Sequence, residues 1–390
     1  MARLTYSTAG ESHGPALTAL VEGLPAGVTV DLELINAELR RRQGGFGRGP
    51  RMRIEHDAAT VLAGVRKGLS TGAPIVLQIP NRDSRLDETP PIHRPRPGHA
   101  DLAGSVKWLT DDCRDTLERA SARETAACVA AGALLKCLLR EFQIESVGFV
   151  VSIGGVTIEE LPLAASPVEI RARRDANEAF APDGHAAERM IEAIREAKLA
   201  RDTLGGIVEV RVFGVPVGLG SCASADARLD GRLMQALGAV QAIKGVEIGL
   251  GFAAASRRGS QVHDPIEFDA TQRDGPSFGF ARRSNHAGGI EGGMSNGQTI
   301  VVRAAMKPIS TLLQGMDSVN LRTLTPERSD YERSDICAVP ACSVVAENVV
   351  AFEIGRALLE KFGGDTLREV RAAYDAYRVM AKSLALRGAE

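Results

Sequence analysis

The stretch SARETAACVAAGALLKCLLREFQIESVGFVVSIGGVTI, residues 121–158, places an alanine-rich helical pattern shortly before a strand-like pattern. Ser121 and Glu124 have the S-x-x-E spacing of a capping box, which predicts a helix that begins near Ser121 and runs to residue 140. Residues 146–158 are rich in β-branched side chains and are interrupted by glycine, as is typical of a strand. The stretch therefore favours a fold that mixes helices and strands.

The rest of the chain repeats this mixture. Further strand-like segments lie at residues 27–32 (GVTVDL), 60–65, 74–79, 206–219 and 298–306. Helical patterns lie at residues 31–42, 187–200, 231–243, 349–362 and near 366–384. Because the near-regular βαβ alternation of a doubly wound sheet is missing, we predict an α+β fold with mostly antiparallel sheets. No repeat or strong boundary divides the chain, so we expect one domain over residues 1–390.

The overall composition is that of a globular protein with ample material for a core. Of 390 residues, 44% are hydrophobic and 25% are charged, and 47 Lys plus Arg oppose 49 Asp plus Glu. This balance argues against the global cationic field of a nonspecific nucleic-acid binder. No secretory signal or apolar run of the ~18 residues needed to span a bilayer is evident. We therefore expect a cytoplasmic protein whose six scattered cysteines are reduced core thiols.

Against this balance, residues 40–53, RRRQGGFGRGPRMR, concentrate six arginines. Glycines interrupt the cations, so the segment is predicted to be a loop that leaves the end of a helix. Arg40 and Arg41 can be explained as cations that oppose the helix dipole, whereas Arg48 and Arg51 can present planar forks to phosphate or carboxylate oxygens. Candidate partners are a nucleic-acid backbone, an acidic protein and a small polyanionic metabolite.

Other polar residues occur in short motifs. HRPRPGHAD holds Arg96 and His99 within residues 80–101, a proline-rich segment predicted to be a long functional loop or a linker. ERASARETAA carries Arg119 and Arg123 at a predicted helix start, where free amides attract anions. GESHG places His13 between glycines, and imidazole is the usual proton carrier of active sites.

The remaining motifs lie in the second half of the chain. GGIEGGMSNGQT, residues 288–299, resembles a phosphate cradle in composition but matches neither the Walker A nor the dinucleotide pattern. Lys307 precedes a proline in MKPIST, which favours an extended backbone. Arg333 and Asp335 share one face of an extended segment, and the arginine favours the ionised carboxylate. Each of these motifs also has a purely structural explanation.

Taken in order, these motifs resemble the chorismate synthase family from about residue 3 to residue 363. The resemblance includes VEGLPAG, RPGHADL, QAIKGVEIG and RSDICAVPA in addition to the segments above. It implies a βαβ-sandwich fold with antiparallel sheets packed around helices, and a homotetramer. It also implies a lyase of the shikimate pathway of aromatic amino acid biosynthesis. This enzyme eliminates phosphate from 5-enolpyruvylshikimate 3-phosphate in a 1,4-anti sense and needs reduced FMN without net redox change.

The resemblance also implies roles for individual residues. The implied substrate clamps are Arg42, Arg48, Arg51, Arg96, Arg123 and Arg333, of which Arg42 and Arg48 also correspond to positions assigned to NADPH in members that use it. The implied flavin contacts are Arg119, Ala120, Ser121, Gln241, Ala242, Gly292, Lys307, Pro308, Ile309, Ser310, Thr311 and Arg333. Many members have serine where this chain has Ala120. The implied proton carriers are His13, His99 and Asp335, and no metal is implied.

Two alternatives stay open at this point. The first concerns the source of reduced FMN: either this chain reduces FMN with NADPH, or a separate reductase delivers the reduced flavin. From another class of function, an RNA- or acidic-partner-binding protein would use the arginine-rich loop 40–53 as its contact, although the sparse aromatic residues and the lack of a recognition-module signature disfavour it.

Overall fold

The computed structural model describes residues 4–384 except 160, 163, 331 and 333. Its α-helices are α1 (Leu32–Gln43), α2 (Asp101–Trp108), α3 (Arg114–Ala120), α4 (Thr125–Arg140), α5 (Pro167–Asp175), α6 (Gly184–Leu199), α7 (Leu229–Gly238), α8 (Val339–Phe362) and α9 (Leu367–Leu384). Its strands are β1 (Thr5–Ala9), β2 (Ala16–Glu22), β3 (Thr60–Ala63), β4 (Val65–Arg66), β5 (Leu69–Ser70), β6 (Ile75–Pro80), β7 (Glu145–Ile153), β8 (Val156–Thr157), β9 (Gly206–Phe213), β10 (Ile243–Ile248), β11 (Ile266–Phe268), β12 (Phe280–Arg282), β13 (Ile290–Glu291), β14 (Met294–Ser295), β15 (Ile300–Met306), β16 (Asp317–Val319) and β17 (Pro326–Arg328).

Two antiparallel sheets form the outer layers of the fold. The first has the strand order β1-β2-β6-β3 and the second the order β10-β15-β9-β7-β8. The apolar residues of β2 and β6 alternate with half-buried residues, so each strand turns one face to the interior. The remaining strands pair as short hairpins outside these sheets.

Helices α4 and α8 fill the space between the sheets. α4 packs on β2 and β6, α8 packs on β7 and β9, and the two helices pack against each other. Their approach is close because Gly132 has no side chain: a Cβ atom there would lie 2.1 Å from the carbonyl oxygen of Asn348. The resulting order of layers is sheet, helix, helix, sheet, which confirms the predicted α+β sandwich of antiparallel sheets around helices.

The predicted helices and most predicted strands are confirmed, with shifted ends. The strand predicted at residues 27–32 is wrong. This segment, which lies wholly in the described part, forms an isolated bridge from Thr29 to Leu69, and its last residue, Leu32, already begins α1. Val28 and Val30 are buried, so the alternation reflects burial of an irregular segment and not a regular ladder. The helix predicted to residue 243 ends at Gly238, and Ile243 instead begins β10.

The predicted capping box is also wrong. The hydroxyl of Ser121 accepts from the backbone N–H of Arg123 at 3.3 Å, within a 3₁₀ turn over Ala122–Glu124, and α4 begins only at Thr125. The Glu124 carboxylate instead accepts from the Thr8 hydroxyl at 2.6 Å and from the Gln241 amide at 2.8 Å. These distant partners hold the carboxylate away from the turn that it was expected to cap.

Four of the six cysteines are buried as predicted, and Cys128 is partly buried, but Cys222 is exposed. The proline-rich segment predicted to be a long loop contains one short 3₁₀ turn, Leu86–Glu88, before α2 begins. Within the ranges that the structure describes, no helix is long and apolar enough to cross a membrane.

Candidate active site

A cavity of about 620 Å³ opens where the loops between the two sheets meet. Its walls come from the ends of α1 and α3, the loop that precedes α2, the start of β10, the segment after β15 and the start of α8. Eight cationic side chains line it, against three carboxylates, counted over the described residues. The cations are Arg42, Arg48, Arg51, Arg85, Arg96, Arg123, Lys244 and Lys307, and the carboxylates are Asp83, Glu332 and Asp335. This surplus of positive charge suits a polyanionic ligand.

The glycine-rich loop after α1 brings Arg48 to the cavity. Gly47 has a φ of +92°, and its carbonyl oxygen accepts from the N–H of Ile336 at 2.8 Å. The next glycine, Gly49, donates its N–H to Asp335 at 2.6 Å. Arg48 then pairs with the same carboxylate at 3.1 Å. The loop and the segment before α8 therefore form one wall, on which Arg48 and Asp335 lie side by side.

Arg42 lies deeper, at the junction of α1 with the start of α4. Its guanidinium donates to the Thr125 hydroxyl at 2.9 Å, to the Ala122 carbonyl at 2.8 Å and to Asp57 at 3.3 Å. Burial, together with the nearby cations Arg123 and Arg48, lowers the pKa of Arg42 to about 10 against the opposing effect of Asp57. An added anion would relieve this unfavourable environment.

Arg123 and Arg51 complete the same side of the cavity. Arg123 is held by Asn81 at 2.9 Å and by Asp57 at 2.8 Å. Arg51 donates to the Ser12 hydroxyl at 2.6 Å and lies 3.3 Å from Glu55. Nη2 of Arg123 and Nε of Arg48 are buried without a hydrogen-bond partner in the described part of the chain. Buried donors without partners are costly, so these two atoms point to a ligand that accepts hydrogen bonds.

Arg96 and His99 share one buried carboxylate, that of Asp101. Arg96 donates to it from Nε at 2.8 Å and from Nη2 at 3.0 Å, and a further bond at 2.9 Å links Arg96 to the Thr311 hydroxyl. Nδ1 of His99 contacts the same carboxylate. Burial raises the pKa of Asp101, but hydrogen bonds and charges of His99 and Arg96 outweigh burial and hold the pKa well below its usual range. Asp101 therefore stays ionised and orients both side chains.

His13 faces the cavity from the turn between β1 and β2. Its Nδ1 lies 3.0 Å from both carboxylate oxygens of Glu118, and its Nε2 lies 3.7 Å from Asp83. His13, His99 and Asp335, the three predicted proton carriers, thus line one cavity.

Most of the predicted cofactor contacts line the same cavity. Those that do, in addition to Arg42 and Arg48, are Ala120, Ser121, Gln241, Ala242, Lys307, Ile309, Ser310 and Thr311. Nζ of Lys307 donates to the Ser310 hydroxyl at 3.0 Å, and burial together with the charge of Lys244 lowers the pKa of Lys307. Ala242 adopts a left-handed φ of +69°, which turns the backbone sharply before β10.

Three predicted contacts do not line this cavity, and a fourth is outside the described residues. Pro308 is between two lining residues but does not line the cavity. Arg119 lines a second cavity of about 410 Å³ and donates to the carbonyl oxygens of Thr8 and Gly10. Gly292 lies in the turn of the β13–β14 hairpin, away from both cavities. Arg333, predicted to bind both substrate and flavin, lies outside the described residues.

Sequence reasoning missed the carboxylates and amides that hold the site together. They are Glu55, Asp57, Asn81, Asp101 and Glu118. Asp101 had a local signal, because it lies two residues after His99 in the same motif. Glu55 is four residues from Arg51, which it contacts. Asp57, Asn81 and Glu118 lie 42 to 105 positions from Arg123 or His13, which they contact, so no local pattern indicates these contacts.

In the ranges that the structure describes, no group of three or more His, Cys, Asp or Glu side chains is arranged to hold a metal ion.

Comparisons with known proteins identify the family of this chain. The family model for chorismate synthase matches residues 4–359. Chorismate synthases of Desulforamulus reducens and Geobacter sulfurreducens are each 52% identical to this chain, over 96% of its length and 98% of theirs. A crystal structure of chorismate synthase superposes with a TM-score of 0.81 at 42% identity and covers 98% of this chain and 99% of that one. The chain therefore belongs to the chorismate synthase family.

Proposed function

We propose that this chain is a carbon–oxygen lyase that converts 5-enolpyruvylshikimate 3-phosphate to chorismate by 1,4-anti elimination of phosphate, with reduced FMN as cofactor. The observation that carries the proposal is the convergence of His13, His99 and Asp335 with the cavity arginines around one space. The family supports the same reaction.

The proposed substrate carries one phosphate and two carboxylates, which matches the charge of the cavity. Two guanidinium atoms, Nε of Arg48 and Nη2 of Arg123, have no hydrogen-bond partner among the described residues, although Nη2 of Arg123 lies 3.9 Å from Glu55. Both could donate to oxygens of the substrate. Arg51 and Arg96 are held rigidly by Glu55 and Asp101, so their orientation costs little when the substrate binds. These arginines hold the substrate and stabilise charge on the departing phosphate.

The cavity also fits a flavin. Apolar side chains, among them Val240, Met306 and Val345, line it beside the polar groups and offer a surface for a flat ring. Segments 120–121, 241–242 and 307–311 would hold FMN, and Arg42 and Arg48 would meet NADPH if the chain reduces its own cofactor. Reduced FMN supplies electron density to the substrate and takes up a proton when it is bound.

The residues of the chain hold and move the other protons. Asp101 engages Nδ1 of His99, so Nε2 of His99 can carry a proton toward the leaving phosphate. Asp335, which Arg48 holds at 3.1 Å, would assist removal of the substrate proton. His13, which also lines the cavity, would be the acid that protonates the bound flavin or the leaving phosphate. Positioned groups of this kind typically contribute ~10²–10⁴-fold each to the rate.

Three further proposals concern the whole protein. Both sheets pack on the same pair of helices, α4 and α8, which supports a single domain over residues 1–390. We also propose a homotetramer, to be tested by light scattering of the purified protein. The shikimate-pathway reaction supports a cytoplasmic location, which fractionation of cells would test.

An anaerobic assay tests the function directly. The protein is mixed with chemically reduced FMN and 5-enolpyruvylshikimate 3-phosphate, and released phosphate and chorismate are measured. Equal amounts of both products are expected, and release of neither would refute the proposal. A repeat with NADPH and oxidised FMN distinguishes a chain that reduces its own flavin from one that depends on a separate reductase.

The alternative function, binding of RNA or an acidic partner through residues 40–53, is not supported. Arg42, Arg48 and Arg51 all line the cavity, and each is engaged by other residues of the chain. An extended nucleic-acid backbone needs such cations on an open surface.

A further inference from the structure

We infer that Glu118 is a positioning residue that fixes the tautomer and direction of the His13 imidazole, so that Nε2 of His13 faces the reacting groups. The inference deepens the proposed function and rests on it for the role of His13. Glu118 begins the motif ERASARETAA but is not among the predicted site residues, and it does not line the cavity itself.

The Glu118 carboxylate contacts both the ring and the backbone of His13. Both carboxylate oxygens of Glu118 lie 3.0 Å from Nδ1 of His13, and Oε2 also accepts from the backbone N–H of His13 at 2.9 Å. The backbone carbonyl of Glu118 accepts from the N–H of Ser12 at 2.9 Å. The side chain and the main chain of Glu118 therefore hold the turn that carries His13.

The charge of Glu118 decides the direction of the hydrogen bond. Burial raises the pKa of Glu118. Hydrogen bonds from His13, the charge of His13 and a hydrogen bond from Arg114 outweigh burial, so the pKa of Glu118 lies below its usual range. Arg114 lies 3.3 Å from Glu118 and is anchored in turn by Glu332 at 2.9 Å. An ionised carboxylate only accepts hydrogen bonds, so Nδ1 of His13 must be the donor.

This assignment leaves Nε2 of His13 as the atom that exchanges protons. In the neutral ring it is an acceptor, and in the protonated ring it is a donor. The charged groups that approach His13 are Glu118 on α3, Asp83 at 3.7 Å from Nε2, and Arg51, which bonds to the adjacent Ser12. Asp83 lies beyond hydrogen-bond distance, so Nε2 stays available to a ligand in the cavity.

The test compares Glu118→Gln with Glu118→Asp. Glutamine keeps the size of the side chain, but its amide can donate to Nδ1 and so favours the opposite tautomer. We expect kcat of Glu118→Gln to fall roughly 10- to 100-fold while KM for the substrate changes less than about threefold, as for loss of an orienting carboxylate. Aspartate restores the charge, and we expect it to recover part of the lost kcat. A purely structural role predicts the reverse order, because aspartate loses more packing than glutamine.

A spectroscopic measurement makes the test independent of activity. With isotope-labelled histidine ring nitrogens, NMR of the substrate-free protein reports which nitrogen carries the proton, and His13→Asn identifies the signal. We expect a protonated Nδ1 in the neutral ring of the wild type and a protonated Nε2 in Glu118→Gln. The same tautomer in both proteins, or an unchanged kcat in Glu118→Gln, would overturn the inference.

Asp111→Asn is the matched control. Asp111 also lies near a histidine, with its carboxylate 3.9 Å from Nδ1 of His93, but that nitrogen bonds to the backbone carbonyl of Asp111 at 2.8 Å. Neither residue lines the cavity. We expect Asp111→Asn to leave both kcat and the His13 signal unchanged. If the wild type releases no phosphate, the proposed function fails, but the tautomer measurement still decides the role of Glu118.

Discussion

Arg41 and Arg42 are neighbours in the last turn of α1, but they enter two different buried charge clusters. Arg41 turns to an interior cluster, which consists of Glu38, Arg41, Lys136, Arg174 and Glu347. Arg42 turns to the cavity, where it meets Arg48, Arg123 and Asp57. The two side chains have the same chemistry, so the difference between them comes from what surrounds them.

The interior cluster is closed, because each of its cations contacts a carboxylate of the cluster. Glu347 accepts from Lys136, from Arg174 at 3.2 Å and from the N–H of Gly148 at 2.8 Å, as well as from Arg41. Burial raises the pKa of Glu347, but these three cations outweigh burial and hold the pKa well below its usual range. Burial likewise lowers the pKa of Arg41, and Glu347 and Glu38 raise it above its ordinary value.

The cavity cluster is open by contrast. There the pKa of Arg42 is lowered, and cations outnumber carboxylates along the wall. The interior cluster sets two carboxylates against three cations, whereas the cavity lining sets three carboxylates against eight cations. The comparison indicates that nearly matched buried charge stabilises this fold, whereas a larger surplus of cations prepares it for an anionic ligand. Substitutions in the two clusters should therefore separate stability from catalysis.

The largest effect is expected from His13→Ala in the cavity. Loss of a positioned acid–base group should lower kcat by ~10²–10⁴-fold. The melting temperature should change little, because Glu118 keeps its contact with Arg114. Phosphate release and thermal unfolding measure the two quantities. If His13→Ala lost activity only in proportion to the loss of folded protein, the predicted separation of catalysis from stability would be wrong.

In the interior cluster, Glu347→Gln should act on stability instead. Three buried cations would lose their shared carboxylate, which should lower the free energy of unfolding by ~3–5 kcal/mol. Urea denaturation measures the loss, and kcat/KM of the protein that remains folded should equal that of the wild type. Glu192→Gln is the control: Glu192 and Arg195 are each 59% exposed, and their ion pair should contribute at most ~1 kcal/mol.

Arg48→Met should weaken binding more than it weakens the fold. Loss of hydrogen bonds to a charged ligand should cost ~1.5–3 kcal/mol, which corresponds to a rise in the substrate Kd of roughly 10- to 150-fold. Asp335 stays partly exposed, so the substrate-free protein should lose less stability than Glu347→Gln does. Titration calorimetry measures the substrate Kd, and urea denaturation measures the stability of the substrate-free protein. A large loss of stability with unchanged affinity would reverse the assignment of Arg48.

The smallest expected effect is on the stability of the fold at acidic pH. The folded pKa values of Glu347, Asp101 and Glu118 lie below their unfolded values, so their contribution to stability is complete above about pH 4.5 and is lost as the pH falls through the folded values. Each such group adds up to about 1.4 kcal/mol per pH unit to the slope of the unfolding free energy against pH. Unfolding free energies measured between pH 3 and 7 should therefore decline less steeply in Glu347→Gln than in the wild type. Equal slopes would show that Glu347 is not ionised in the fold.

Several elements could be predicted because their signals are local. The alanine-rich pattern that became α4 and the alternation that became β6 each follow from the spacing of apolar residues within one segment. The glycines of residues 44–49 indicated a loop, and Gly47 does adopt a positive φ. The capping box failed because Glu124 found partners 116 and 117 residues away, Thr8 and Gln241, with which its neighbours could not compete.

The amino-acid sequence by itself determined the class of fold, the concentration of arginine in one loop and the family to which the chain belongs, because each is carried by residues close together or in a fixed order. Only the tertiary structure decided that Arg41 stabilises the core while Arg42 faces the cavity, and that Glu118 meets His13 across 105 positions of the chain. The physical reason is that the environment of a charge is set by the groups packed around it in space. That packing depends on how the two sheets close over α4 and α8.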